Sequence, residues 1–110
     1  MPIPDSARRA LARRLDLRRH ERWPELVDLN LGYRGSFAYV TGATAEDDSL
    51  PLCRLRYLGS THEWGFAIYL ASKDGYEESV LPTGDLAGSP EDALDCACGL
   101  YLNDPAAWFP

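Results

Sequence analysis

The sequence predicts an α+β domain: an N-terminal helix, an antiparallel sheet of three to four strands, and a C-terminal helix. Three observations carry this. Residues 5–22 hold strong helix formers with apolar positions at i, i+4 spacing. Residues 26–42 alternate at period two, and two more strand-like stretches, 50–58 and 64–71, follow between turn-rich breaks. Gly88-Ser89-Pro90-Glu91-Asp92 then announces a capped helix start. The chain has 110 residues, 45% hydrophobic and 25% charged, which suits one globular domain with a real core.

The first helix opens at Pro4-Asp5-Ser6 and ends at Trp23-Pro24, because the residue before proline avoids the α region. Its apolar stripe is narrow: Ala7, Leu11 and Leu15. Arginine pairs recur every five residues, at Arg8 and Arg9, Arg13 and Arg14, Arg18 and Arg19, with Arg22 following. Residues 26–42 read as one long strand bent near Gly32 and Gly35, or as two short ones. On the single-strand reading, Leu29, Leu31, Tyr33, Phe37 and Tyr39 share one face. Residues 50–58 form the next strand, with Cys53, Leu55 and Tyr57 opposite Arg54 and Arg56. Residues 64–71 follow, with Trp64, Phe66, Ile68 and Leu70 on one side. Asp74-Gly75 carries a hairpin signal, and YEESVL is a candidate fourth strand. In the last helix Ser89 is the N-cap and Pro90 the first helical residue; Leu94, Ala97, Cys98, Tyr101 and Leu102 line one face before Asn103-Asp104-Pro105 stops it.

Charge divides the chain into a basic helical arm, residues 1–24, and an acidic α+β domain, residues 25–110. The arm carries seven arginines against three acids, a net of +4. The remainder carries four basic residues against fourteen acids, a net of −10. Arg9 and Arg13, Arg14 and Arg18, and Arg18 and Arg22 are like charges at i, i+4, each costing an isolated helix roughly 0.2–0.5 kcal/mol. The helix therefore needs something negative beside it. The chain's own acidic body, a second copy of it, or a phosphate backbone would serve. The seven arginines are the candidate partner- or phosphate-binding residues, and protein docking ranks ahead of nucleic acid because the net charge of −6 slows encounter with phosphates. A second candidate surface is the sheet face with Arg34, Arg54, Arg56 and Tyr69 among small residues: a dimer contact or an anion-binding face, unless a terminal helix covers it.

Catalysis and cofactors find little support. Cys96 and Cys98 point about 200° apart on a helix, so they cannot share a metal, and Cys53, Cys96 and Cys98 read as buried structural thiols. His62 lies near Cys53 along the hairpin, which gives a nucleophile-and-base alternative, but no third orienting residue is visible. No phosphate loop, dinucleotide fingerprint or zinc-protease motif occurs. The expectation is no cofactor, no metal and no catalytic residue. With no apolar leader, no membrane span and an odd cysteine count, the expected setting is a reducing cytoplasm.

Four stretches, YRGSFAYV, LPLCRLRYLGS, WGFAIYLASKDGYEESVLPTG and SPEDALDCACGLYL, give residues 26–109 a resemblance to a group of short actinobacterial proteins of unknown function. The resemblance implies a small soluble protein and no particular activity. DGYEESVLPTG followed by GSPEDALDCACGLYL is also similar to HicB-type antitoxins. That implies a partial double-stranded-RNA-binding-like fold and a toxin partner. The chain departs from that family in lacking its Pro-Gly-Cys stretch and in carrying the arginine helix. A double-stranded-RNA-binding domain matches the element order, yet such domains present lysines at the start of the second helix. Here that position is Ser-Pro-Glu-Asp, which repels phosphate. The sequence thus points to a non-catalytic module that associates through its basic helix and acidic body as a homodimer. A nucleic-acid-linked or antitoxin-like regulator and a small Cys53/His62 enzyme are the alternatives.

Overall fold

The computed structural model describes residues 2–46, 48–70, 72–79, 81 and 84–101, the side chains of 100 and 101 excepted. Helix α1 (Asp5–Arg22) leads into strands β1 (Asp28–Arg34), β2 (Phe37–Ala43), β3 (Leu50–Tyr57), β4 (Trp64–Leu70) and β5 (Gly75–Glu78). A two-residue strand β6 (Ala87–Gly88) and helix α2 (Pro90–Tyr101) follow. The class is the α+β expected. The five main strands lie in chain order β1-β2-β3-β4-β5, and every pairing is antiparallel. β6 pairs the start of β4, whose far end holds β5. The sheet is thus wider than the three to four strands read from the pattern: residues 26–42 form two strands, and β6 is too short to leave a period.

The parity of β1 and β2 departs from the single-strand expectation, and it sets which side chains share a face. Arg34 pairs with Phe37 across a two-residue loop in which Gly35 takes φ +60°. Glycine at the first loop position with positive φ suits a tight hairpin whose twist matches its strands. A two-residue loop inverts odd and even between the strands. Leu29, Leu31 and Tyr33 of β1 therefore share a face with Gly42, Val40 and Ala38 of β2. Phe37, Tyr39 and Thr41 turn to the opposite face, where the single-strand reading did not put them. A bulge between Val40 and Thr41 then lets Leu52 and Cys53, neighbours on β3, both be buried. The Asp-Gly hairpin is also looser than expected: Leu70 pairs Gly75, and Asp74 takes the left-handed conformation (φ 47°) before the strand begins.

Both helices pack on one side of the sheet. Ile3, Ala7, Leu11, Leu15 and Trp23 join Ala38, Val40, Leu52, Cys53, Leu55, Trp64, Phe66, Leu94 and Ala97 in a single core cluster. The stripe Ala7–Leu11–Leu15 is the buried one, as the i, i+4 spacing requires. α2 is apolar on more than one side: Ala93, Leu94, Cys96, Ala97 and Cys98 are all buried. That follows from its position in contact with α1 as well as with β3 and β4. Ser89 caps it, its Oγ accepting the Asp92 N–H at 3.1 Å. The Tyr101 side chain, Leu102 and the Asn103-Asp104-Pro105 stop lie outside the described residues, as do Asp47 and Val80.

Candidate functional site

Two surfaces gather the candidate residues: the seam between α1 and α2, and the sheet face turned away from both helices.

The seam is an ion-pair ladder. Arg14 and Arg18 are four apart on α1, and Glu91 and Asp95 are four apart on α2, so each pair lies along one helix face. Arg14 meets Glu91 with two parallel bonds, Nε to Oε2 at 2.8 Å and Nη2 to Oε1 at 2.6 Å. Its Nη1 also donates to the Thr61 carbonyl at 2.7 Å. Arg18 donates to Asp95 from Nη2 at 2.6 Å and from Nε at 3.1 Å. The pairings 14–91 and 18–95 advance together, so the helices run in the same direction along the seam. Asp95 accepts a third bond, from the indole Nε1 of Trp23 at 2.9 Å. Hydrogen bonding to Glu91 raises the Arg14 pKa, and bonding to Asp95 raises that of Arg18. Burial alone would raise the Glu91 pKa, but its bonds and charge contact with Arg14 hold it below the usual carboxylate range.

The other helix arginines take separate roles. Arg8 donates to the Ile3 carbonyl at 3.1 Å and lies 4.6 Å over the Tyr33 ring. Arg19 bonds Asp16 at 2.7 Å and the Leu26 carbonyl at 2.9 Å, tying the end of α1 to the entry of β1. The Arg22 guanidinium sits 5.1 Å over the Trp23 ring. Arg9 and Arg13 are exposed and meet no carboxylate among the described residues. The seven arginines thus do not form one binding stripe: two are neutralised on α2, and three hold local structure.

The sheet face brings together Arg34, Arg54, Arg56 and Tyr69, and neither helix covers it. Cross-strand pairing sets the rows: Arg34, Phe37, Arg56 and Gly65 in one, Tyr39, Arg54, Ala67 and Glu78 in the next. The neighbours are not mainly small. Arg54 stacks 4.4 Å over Phe37 and lies 5.7 Å from the Tyr76 ring. Tyr76 meets Tyr39 and Tyr69 edge-on, each at 5.4 Å. Tyr69 donates its hydroxyl to Asp74 at 2.6 Å. Arg34 and Arg56 are exposed and have no ion-pair partner among the described residues. An open groove of about 210 Å³ lies at one end, between Arg54, Arg56, Leu58 and Leu86 over Gly65 and Ala67. Such a face can hold carboxylates on its guanidinium groups and apolar or aromatic groups on its rings.

The thiols and His62 do not come together as a reactive pair. Cys53, Cys96 and Cys98 are free and buried. Burial pushes all three thiols up, Cys96 to about 11, so each keeps its proton near neutral pH. His62 is exposed, its Nδ1 3.3 Å from Arg14 Nη1. Among the described residues no group of three metal-ligating side chains occurs, and no helix is long and apolar enough to cross a membrane.

Reading the sequence alone missed Trp23, Glu91 and Asp95 as members of the seam. A signal was present, because the i, i+4 arginines of the first helix match the i, i+4 acids of the last. It also missed Phe37 and Tyr39 on the open face, which the parity change at Gly35-Ser36 brings there, and Tyr76, which pairs with Tyr69 across β4 and β5. Compared with known proteins, the chain matches no family model, no curated protein and no solved structure.

Proposed function

We propose that this chain is a non-catalytic association module that self-associates and presents its open sheet face to an acidic protein partner. One observation carries the reading: Arg56 stands exposed and without an ion-pair partner among the described residues, next to Arg54 stacked on Phe37 within a cluster of aromatic rings, on a face neither helix covers. The cis ladder supports it, because Arg14 and Arg18 are already engaged within the chain. A partner rich in Asp and Glu with interspersed aromatic residues satisfies both the guanidinium groups and the rings. The setting of this reading is a reducing cytoplasm, where three buried thiols stay reduced.

The test is fluorescence anisotropy with a labelled peptide of alternating Glu and Tyr, beside a labelled single-stranded oligonucleotide of equal charge. The peptide is expected to bind more tightly, and Arg54→Glu with Arg56→Glu to weaken it by roughly tenfold or more. Absence of peptide binding at low salt refutes the acidic partner. A second reading, a nucleic-acid-linked or antitoxin-like regulator, has one observation in its favour: rings beside Arg54 are what base stacking uses. Tighter oligonucleotide binding with a steep salt slope would establish it instead.

A further inference from the structure

β1 is the outer strand of the sheet, no strand among the described residues pairs its far edge, and that edge is complementary to itself. The hairpin decides which of its groups point outward. Arg34 and Phe37 close a two-residue loop, so they exchange main-chain hydrogen bonds, and the ladder alternates from there. Asp28, Asn30, Gly32 and Arg34 therefore bond to β2. Leu29, Leu31 and Tyr33 turn their N–H and C=O groups to the open edge. The Leu29 N–H has already found a substitute acceptor, the Asp28 carboxylate at 2.9 Å.

We infer that two copies of this chain pair β1 against β1 in antiparallel fashion, with Leu31 on the two-fold axis. The register opposes Leu31 to Leu31, Leu29 to Tyr33, Asn30 to Gly32 and Asp28 to Arg34 of the second copy. Every outward main-chain group between Leu29 and Tyr33 then gains a partner. Leu29, Leu31 and Tyr33, already packed against the core on the helix side, continue an apolar row across the axis. Asp28 and Arg34, both exposed, form two symmetric ion pairs on the open face. Asp28 becomes available for this as the Leu29 N–H moves to the Tyr33 carbonyl of the second copy.

Two further features fit. β1 contains no proline, lysine or internal bulge, and its two charges, Asp28 and Arg34, sit at its ends rather than along the edge. A Cβ at Gly32 would meet nothing within 4 Å, and its φ is not in the left-handed region, so nothing among the described residues requires a glycine there. Glycine within a strand commonly marks close approach by another backbone, and in this register it faces Asn30 of the second copy.

The interface rests on the self-association proposed above, and a charge swap tests it separately. The full chain is followed by sedimentation equilibrium up to about 0.5 mM, a range that captures weak dimers. Asp28→Arg and Arg34→Asp alone each set like charges opposite each other twice, and each is expected to weaken the dimer roughly tenfold. Asp28→Arg with Arg34→Asp restores opposite charges and should return the dissociation constant to within about threefold of the original. Amide exchange at Leu31 and Tyr33 should slow as the concentration of the original chain rises. A dimer indifferent to the single reversals, or one that the double reversal does not restore, overturns the register and leaves self-association standing. An original chain that stays monomeric overturns both, while the acidic-peptide titration still reads the sheet face by itself.

Discussion

Removing the Asp95 carboxylate should cost more stability than removing any other acid on α2. Asp95→Ala takes the acceptor from two donors in different surroundings. The Arg18 guanidinium is 32% exposed at its side chain, so it rehydrates, and losing that pair costs about 0.5–1 kcal/mol. The Trp23 indole is 1% exposed. Its N–H, which now reaches Asp95 Oδ1 at 2.9 Å, is left buried without an acceptor, at about 1–3 kcal/mol. The total is about 1.5–4 kcal/mol. Glu91→Ala breaks a bond of similar length, but Arg14 is partly exposed and keeps the Thr61 carbonyl, so that change should cost about 0.5–1 kcal/mol. Urea unfolding followed by circular dichroism measures both. With a slope of about 1–3 kcal/mol per molar urea, Asp95→Ala should shift the midpoint by roughly 0.5–4 M, and Arg18→Ala by clearly less. If Arg18→Ala is as costly as Asp95→Ala, the indole bond contributes nothing and the reasoning fails.

Two other outcomes rest on the same contacts. Glu91 has a depressed pKa when folded, so its contribution is full above the unfolded value of about 4.3 and fades as pH falls through the folded value. Urea midpoints between about pH 5 and pH 3 should therefore drop more for the original chain than for Glu91→Gln, and parallel curves would deny the pairing its role. The three buried thiols should react slowly with a thiol reagent near pH 8 in the native state and together once denatured, whereas one fast native thiol would revive an enzyme built on Cys53 and His62.

Local chemistry in the sequence determined the elements. The 18-residue first helix was legible because Ala7, Leu11 and Leu15 repeat at the helical period and Trp23-Pro24 stops it. The Ser89 cap and Pro90 start of α2 were legible because an orphan helix N–H needs an oxygen, and proline lacks the N–H that would go unpaired. The charge split between the arm and the body was plain as well, and with it the need of the arginines for negative neighbours. Tertiary structure alone decided which neighbours they find. Glu91 and Asp95 lie 77 residues from Arg14 and Arg18, and no local rule brings such distant groups together; the packing of α2 beside α1 does. It also decided the sheet faces. A two-residue turn in place of a bend exchanges the sides of every later side chain in β2, since the period is two. That exchange put Phe37 and Tyr39 beside Arg54, and it turned the main-chain groups of Leu29, Leu31 and Tyr33 away from β2.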